Sequence, residues 1–250
     1  MDLYAALVEV VAVVVGILVA LWVNNWNQRR LDRHRGRSYV ESLRADIAAD
    51  VERLDHRIEF ASGTAEAAQS LLQVIRGEAP LPDGNTLLRA LKRAGTMYPF
   101  QATRTTFQEL SGGGNLSLIE DRELLRAVIA YYDSAEFPRE AAALAVRRIW
   151  FEYYDALAKT LDPTLIPSMT LDVFALLREG SAFSPAPASA ERALPSLGLG
   201  ERHFDPAALR GAEELVRALS MVLDSAVLVR ESLTDLREQA TALLKRLDVR

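Results

Sequence analysis

Apolar positions along this chain fall into three regimes: an unbroken run at the start, a long 3-4 stripe after it, and a second such stripe at the far end. The run is Leu3–Val23, LYAALVEVVAVVVGILVALWV, with Glu9 as its one ionisable residue. At helical rise its twenty-one residues reach roughly 31 Å, the thickness of a bilayer's hydrocarbon core. Tyr4 stands near one end and Trp22 and Trp26 near the other, where aromatic rings favour the headgroup level. The pattern predicts a transmembrane anchor over 1–27, ending in the interfacial Asn24-Asn25-Trp26-Asn27. Asp2 replaces the basic start of a signal peptide, and no small-x-small cleavage site follows the run.

The first stripe is Val40, Leu43, Ile47, Val51, Leu54, Ile58, Ala61, Ala65, Ala68, Leu72 and Ile75. Its steps alternate between three and four residues, except for a 4-4 step around Ile47 that reads as a stutter. Gly77 and Pro80 end it, and the helix is free to continue from the anchor. The second stripe runs from Ala212 through Leu219, Ala226, Leu233 and Ala240 to Leu247 without a break. Asp205 suits its N-cap and Pro206 its first turn. Two long heptad-patterned helices, about 40–75 and 206–248, suit an antiparallel pair, with Ala61 near Ala226 and Ile47 near Ala240; the rival is intermolecular, either stripe zipping against its copy in another subunit. Leu209, Val216, Leu223 and Val227 give the C-terminal helix a second apolar face, which a bundle rather than a two-stranded seam requires.

Shorter helices are expected between them, at 85–94, 104–110, 120–134, 139–160 and 170–179. Pro138, Pro163, Pro167 and Gly180 punctuate this series, and a Pro/Ala/Gly-rich surface loop covers about 181–204. No run alternates at period two long enough for a strand. The fold class is all-α: one N-terminal transmembrane helix, an Arg-rich juxtamembrane segment at 28–39, and a helical bundle domain over 40–250.

Charge adds an orientation. Arg29, Arg30, Arg33, Arg35 and Arg37 follow the run, diluted by Asp32. The positive-inside rule places that side in the cytoplasm, which implies a single-pass membrane protein with a cytoplasmic body. The net charge of −5 gives no general attraction to nucleic acid. The chain has no cysteine, which removes disulfides, thiolate chemistry and Cys-zinc sites.

Within the span, Ala5, Glu9, Ala12, Gly16, Ala20 and Asn24 step at three or four residues and share one helix face. Ala12-xxx-Gly16-xxx-Ala20 is a small-xxx-small pattern that lets helix backbones approach closely. Glu9 on the same side is costly to expose to acyl chains. The face predicts self-association, so the expected partners are the lipid bilayer, further copies of the chain, and an unidentified protein.

The segment VEVVAVVVGILVALWVNNWNQRR resembles the head of a large bacterial family of small single-span membrane proteins of uncharacterised function. A second block, TTFQELSGGGNLSLIEDRELLRAVIAYYDS (Thr105 to Ser134), is similar to the midsection of that family. Together they cover about a fifth of the chain, and the short N-terminus departs from the family's longer, basic lead. The resemblance implies a membrane-anchored helical domain of the bacterial inner membrane and carries no activity with it.

Candidate chemistry is sparse. Ser111-Gly112-Gly113-Gly114-Asn115 invites a phosphate cradle, but lacks a preceding strand and the Gly-Lys-Ser/Thr ending; the glycines end one helix and Asn115 or Ser117 starts the next segment. His34, His56 and His203 form no metal-spaced pair, and no nucleophile elbow appears, so no metal, cofactor or catalytic residue is assigned. Tyr131, Tyr132, Arg147, Trp150 and Tyr154 are the aromatic and cationic residues that would line a ligand or partner pocket. The function expected is a non-enzymatic, membrane-anchored helical protein that binds a partner or self-assembles through anchor and bundle. The alternatives are a homo-oligomeric pore or membrane-perturbing effector, with Glu9 and Asn24 lining its path, and a small-ligand sensor or enzyme built on Tyr131 and Tyr154.

Overall fold

A computed structural model describes the backbone of residues 3–161 and 206–248, and the side chains of 12–161 (other than Asn85) and 207–248. Every regular element among the described residues is helical, in the order α1 Leu3–Ile75, α2 Gly84–Ala94, α3 Thr105–Gly112, a 3₁₀ turn Asn115–Leu118, α4 Arg122–Ser134 and α5 Glu136–Arg148. A π turn Ile149–Tyr153, α6 Tyr154–Thr160, a 3₁₀ turn Pro206–Leu209 and α7 Glu213–Asp248 complete it. The expected 170–179 helix, the 181–204 loop, and the positions of His203, Asp205 and Arg250 lie outside the described residues.

The apolar run and the first stripe are one helix. α1 begins at Leu3 and does not end until Gly77, whose φ of 76° turns the chain while the Glu78 N–H donates to Gln73 O at 2.8 Å. Its second half packs along α7. Leu43, Ile47, Leu54, Ala61, Ala65 and Ala68 are buried on one helix, and Leu219, Val222, Ala226, Val229, Leu233, Leu236 and Ala240 on the other. Arg44 pairs with Asp248, and Arg237 with Asp55 at 2.8 Å. Asp55 lies eleven residues after Arg44, and Arg237 eleven before Asp248, so the two helices run antiparallel without a slip between the pairs. A parallel arrangement would bring Arg towards Arg and Asp towards Asp.

The short helices close the other side of the core. Asp83 caps α2 by accepting from Thr86 N–H at 3.0 Å, and Asp121 caps α4 by accepting from Glu123 and Leu124 N–H at 2.8 and 3.1 Å. The single helix expected over 139–160 starts earlier and is interrupted. Pro138 sits in the first turn of α5, where its missing N–H costs nothing, and the π turn separates α5 from α6. That wider turn lets Ile149, Tyr153, Tyr154 and Leu157 all face inward while Phe151 is left 75% exposed.

The expected membrane span is corrected by the structure. Among the described residues no helix is long and apolar enough to cross a membrane. The described side chains of the apolar run are the twelve of 12–23, about 18 Å at helical rise against about 30 Å of hydrocarbon, and Asn24 and Asn25 follow. The fold is therefore described as a helical bundle with a projecting apolar helical arm. The single-pass inner-membrane placement, and the cytoplasmic side inferred for the body, rested on the span and are withdrawn with it.

Candidate functional site: the arm and its shoulder

The arm is the part of α1 that leaves the bundle. Val13, Val14, Val15, Ile17, Leu18, Val19, Leu21, Trp22 and Val23 are all exposed, from 49% at Val23 to 68% at Trp22. Because consecutive residues of a helix point in different directions, this exposure covers every side of the rod. Large apolar surface of this extent on a folded protein marks a place of contact. Ala12, Gly16, Ala20 and Asn24 lie on one side of it and are exposed, and a Cβ built on Gly16 meets nothing within 4 Å. Tyr4, Ala5 and Glu9 lie outside the described side chains. Trp22 and Trp26, two residues of the expected aromatic anchors, are exposed at the arm's bundle-proximal end.

Next comes a basic collar. Arg29, Arg30, Arg33, Arg35 and Arg37 are exposed, and Trp26, Leu31 and His34 share a shallow depression with four of them. Arg33 reaches back to Glu120 at 3.4 Å, and Gln28 donates to Asp32 at 3.1 Å.

The shoulder is where the 3₁₀ turn Asn115–Leu118 braces α1. Gly36 is buried there, and a Cβ at that position would lie 2.3 Å from the Leu118 carbonyl oxygen. Helix propensity alone marks Gly36 as a weak point; the close backbone approach is what glycine permits. A cavity of about 500 Å³ opens on one flank, between Gly36, Val40 and Arg44 of α1, Leu118–Asp121, and Leu247 and Asp248 of α7. A more polar cleft of about 450 Å³ on the other flank is lined by Arg35, Ser38, Tyr39, Ser42, Thr106, Glu109 and Asn115. There the Tyr39 hydroxyl donates to Glu109 at 3.0 Å, and this bond holds the phenol above its ordinary pKa. Ser111 Oγ bonds Phe107 O at 2.8 Å, and Gly114 takes φ 68° before the 3₁₀ turn, so the glycine stretch serves as a connection between helices.

Deeper in the bundle lies a polar knot that the sequence pattern does not announce. Asp50 is fully buried, and its carboxylate accepts from Thr103 N–H at 3.1 Å, Thr103 Oγ1 at 2.9 Å, Tyr131 Oη at 2.7 Å and the Arg53 guanidinium. Asp50 thereby ties α1, the segment before α3, and α4 together. One signal was available. Asp50 stands three residues after Ile47 and four before Leu54, at the core-facing step of the stripe, while Val51 is only half-buried. The apparent stutter is a polar residue occupying a core position.

The aromatic candidates are divided between two places. Tyr131 and Tyr132 meet edge-to-face at 5.1 Å, and the Tyr132 hydroxyl donates to Thr103 O at 3.0 Å. Trp150 and Tyr154 form a second pair, with the Tyr154 hydroxyl donating to Gly95 O at 3.0 Å and the neighbouring Tyr153 to Leu91 O at 2.7 Å. Burial first, and neighbouring acidic charge second, holds the Tyr131 and Tyr132 phenols well above the usual tyrosine range; burial pushes Tyr154 up to about 12. Arg147 is exposed on the outer side of α5. These hydroxyls are engaged inside the fold. Among the described residues no group of three or more His, Asp or Glu could hold a metal ion.

Comparisons with protein-family models, with curated proteins and with solved structures find no match for this chain. The likeness drawn from the GILVALWVNNWN segment and from Thr105–Ser134 therefore rests on those residues alone.

Proposed function

We propose that this chain is a non-enzymatic assembly protein: a helical bundle that presents an apolar arm through which copies of the chain associate. The observation that carries the reading is the arm itself, twelve successive positions exposed on every side and continuous with a helix clamped in the core. The flat side made by Ala12, Gly16 and Ala20 supports a helical occupant, because small residues at four-residue spacing let a second helix approach closely and gain dispersion contacts. The shoulder supports it too, since Gly36 and Leu118 brace the arm so that its direction is held by the bundle. Rigidity of this kind lowers the ordering cost of association.

The test is the mass of the full chain in mild detergent, compared with a variant lacking residues 1–27. The full chain is expected to assemble into a larger multiple of its 27.6 kDa subunit than the shortened chain does of its own. Equal behaviour of the two would contradict it.

A further inference from the structure

We propose a second interface, on the bundle: the outer side of α5 and the π turn pairs, antiparallel, with the same surface of another copy about a two-fold axis at Leu144. Phe137, Leu144 and Phe151 are 58%, 48% and 75% exposed and follow one another at seven-residue spacing. Pro138, Ala142, Ala145 and Ile149 occupy the opposite, buried side of the same helix. Phe137 and Leu144 stand one heptad apart on α5, the spacing by which helices pack on helices, and the π turn adds Phe151 at the far end of the same outer surface.

Self-complementarity commits the occupant. When an antiparallel copy is centred on Leu144, Leu144 meets Leu144 and Phe137 meets Phe151. Glu140 then falls opposite the Arg147–Arg148 step of the partner, twice over by symmetry. Glu140 and Arg147 are exposed, and neither has an ion-pair partner among the described residues. An isologous contact requires a surface that maps onto itself in this way. Opposite charges at its edges set the register and disfavour the parallel alternative, in which Glu140 would face Glu140. The π turn has a role in this surface: it carries Phe151 outward where Tyr153 and Tyr154 turn in. The interface is independent of the arm and would give the assembly a second kind of contact.

The experiment uses the full chain, whose lack of cysteine gives a clean background. Leu144→Cys is treated with a short bis-maleimide, with Gln108→Cys, exposed on α3, as the comparison. The measurement is made both in the otherwise natural chain and with Gly16→Ile added to disable the arm. The expected result is a covalent dimer from Leu144→Cys in both backgrounds and background levels from Gln108→Cys. Adding Glu140→Arg should lower the dimer yield about tenfold, the effect of roughly 1.4 kcal/mol of lost affinity, and adding Arg147→Glu as well should restore it. No excess of dimer over Gln108→Cys overturns the proposal. So does a yield indifferent to Glu140→Arg, or a Leu144→Cys thiol that stays closed to a mono-maleimide in the folded chain diluted to one subunit's mass, which would mean that another segment of the chain covers the seam. Dimer lost only when Gly16→Ile is added would assign the contact to the arm and overturn it equally.

Discussion

Tyr131 and Asp50, eighty-one residues apart in the chain, share a 2.7 Å hydrogen bond at a place where neither meets solvent. The pair joins α4 to the core-facing side of α1, and Thr103 completes it through its N–H and hydroxyl. Removing the phenolic hydroxyl leaves a buried carboxylate one donor short. Tyr131→Phe is expected to cost about 1.5–3 kcal/mol in chemical denaturation. Asp50→Ala strands several donors together and is expected to cost about 3–5 kcal/mol. A loss under about 0.5 kcal/mol for both would show that the knot does not hold the bundle.

Stability should also fall in alkali. The phenols of Tyr131, Tyr132, Tyr153 and Tyr154 all titrate higher in the fold than in an unfolded chain, whose tyrosines ionise near pH ~10. Above that pH the folded chain keeps protons that the unfolded chain has released. Their contribution is complete below pH ~10 and is lost as pH rises towards the folded values, Tyr154 at about 12 and the others beyond the ordinary range. Each phenol adds a slope of about −1.4 kcal/mol per pH unit. Denaturation midpoints measured from pH 8 to 11.5 should stay level and then drop, with Tyr154→Phe reducing the drop by about a quarter.

Gly36→Ala separates propensity from packing. In an isolated helix, alanine is better by about 1 kcal/mol. Here its Cβ would sit 2.3 Å from Leu118 O, and the 3₁₀ turn must move. The expected outcome is a net loss of about 1–3 kcal/mol, together with faster amide exchange over 115–118. A stabilised variant would show that α1 is not braced at that point.

The Arg237–Asp55 and Arg44–Asp248 pairs illustrate the difference between specifying an arrangement and stabilising it. Both are substantially exposed, so each should be worth about 0–1 kcal/mol in a double-mutant cycle, and less in high salt. Exchanging the charges within one pair, Asp55→Arg with Arg237→Asp, should preserve stability within that range, whereas Arg237→Glu alone sets two acids together and lowers it.

Much of the architecture was legible because it is carried by periodicity. Leu43, Ile47, Leu54, Ala61 and Ala68 on α1, and Leu219, Ala226, Leu233 and Ala240 on α7, are at once the expected stripes and the buried faces. What periodicity cannot carry is the identity of a partner. Val51 was read as core because it is apolar, yet Asp50 takes the position, since Thr103 and Tyr131 arrive from distant parts of the chain to satisfy it. Gly36 read as a weakness because its neighbour, Leu118, is eighty-two residues away. The exposed Phe137, Leu144 and Phe151 were invisible as a surface, because an apolar residue in a helix is expected inward until the other side is seen to be buried. The length of the apolar run reads as a membrane span, yet among the described residues no helix is long and apolar enough to cross a membrane, and the feature that remains is an uncovered arm.

The proposed role of the arm is a specific contact between copies rather than indiscriminate apolar surface. A Cβ at Gly16 meets nothing within 4 Å, so Gly16→Ile leaves the folded subunit unstrained and alters only what approaches from outside. Sedimentation equilibrium of the natural chain and this variant, in the same detergent, tests it most directly. The natural chain is expected to form an oligomer of its 27.6 kDa subunit, and Gly16→Ile an assembly of fewer subunits; a natural chain at one subunit's mass, or a variant that assembles equally well, would contradict it.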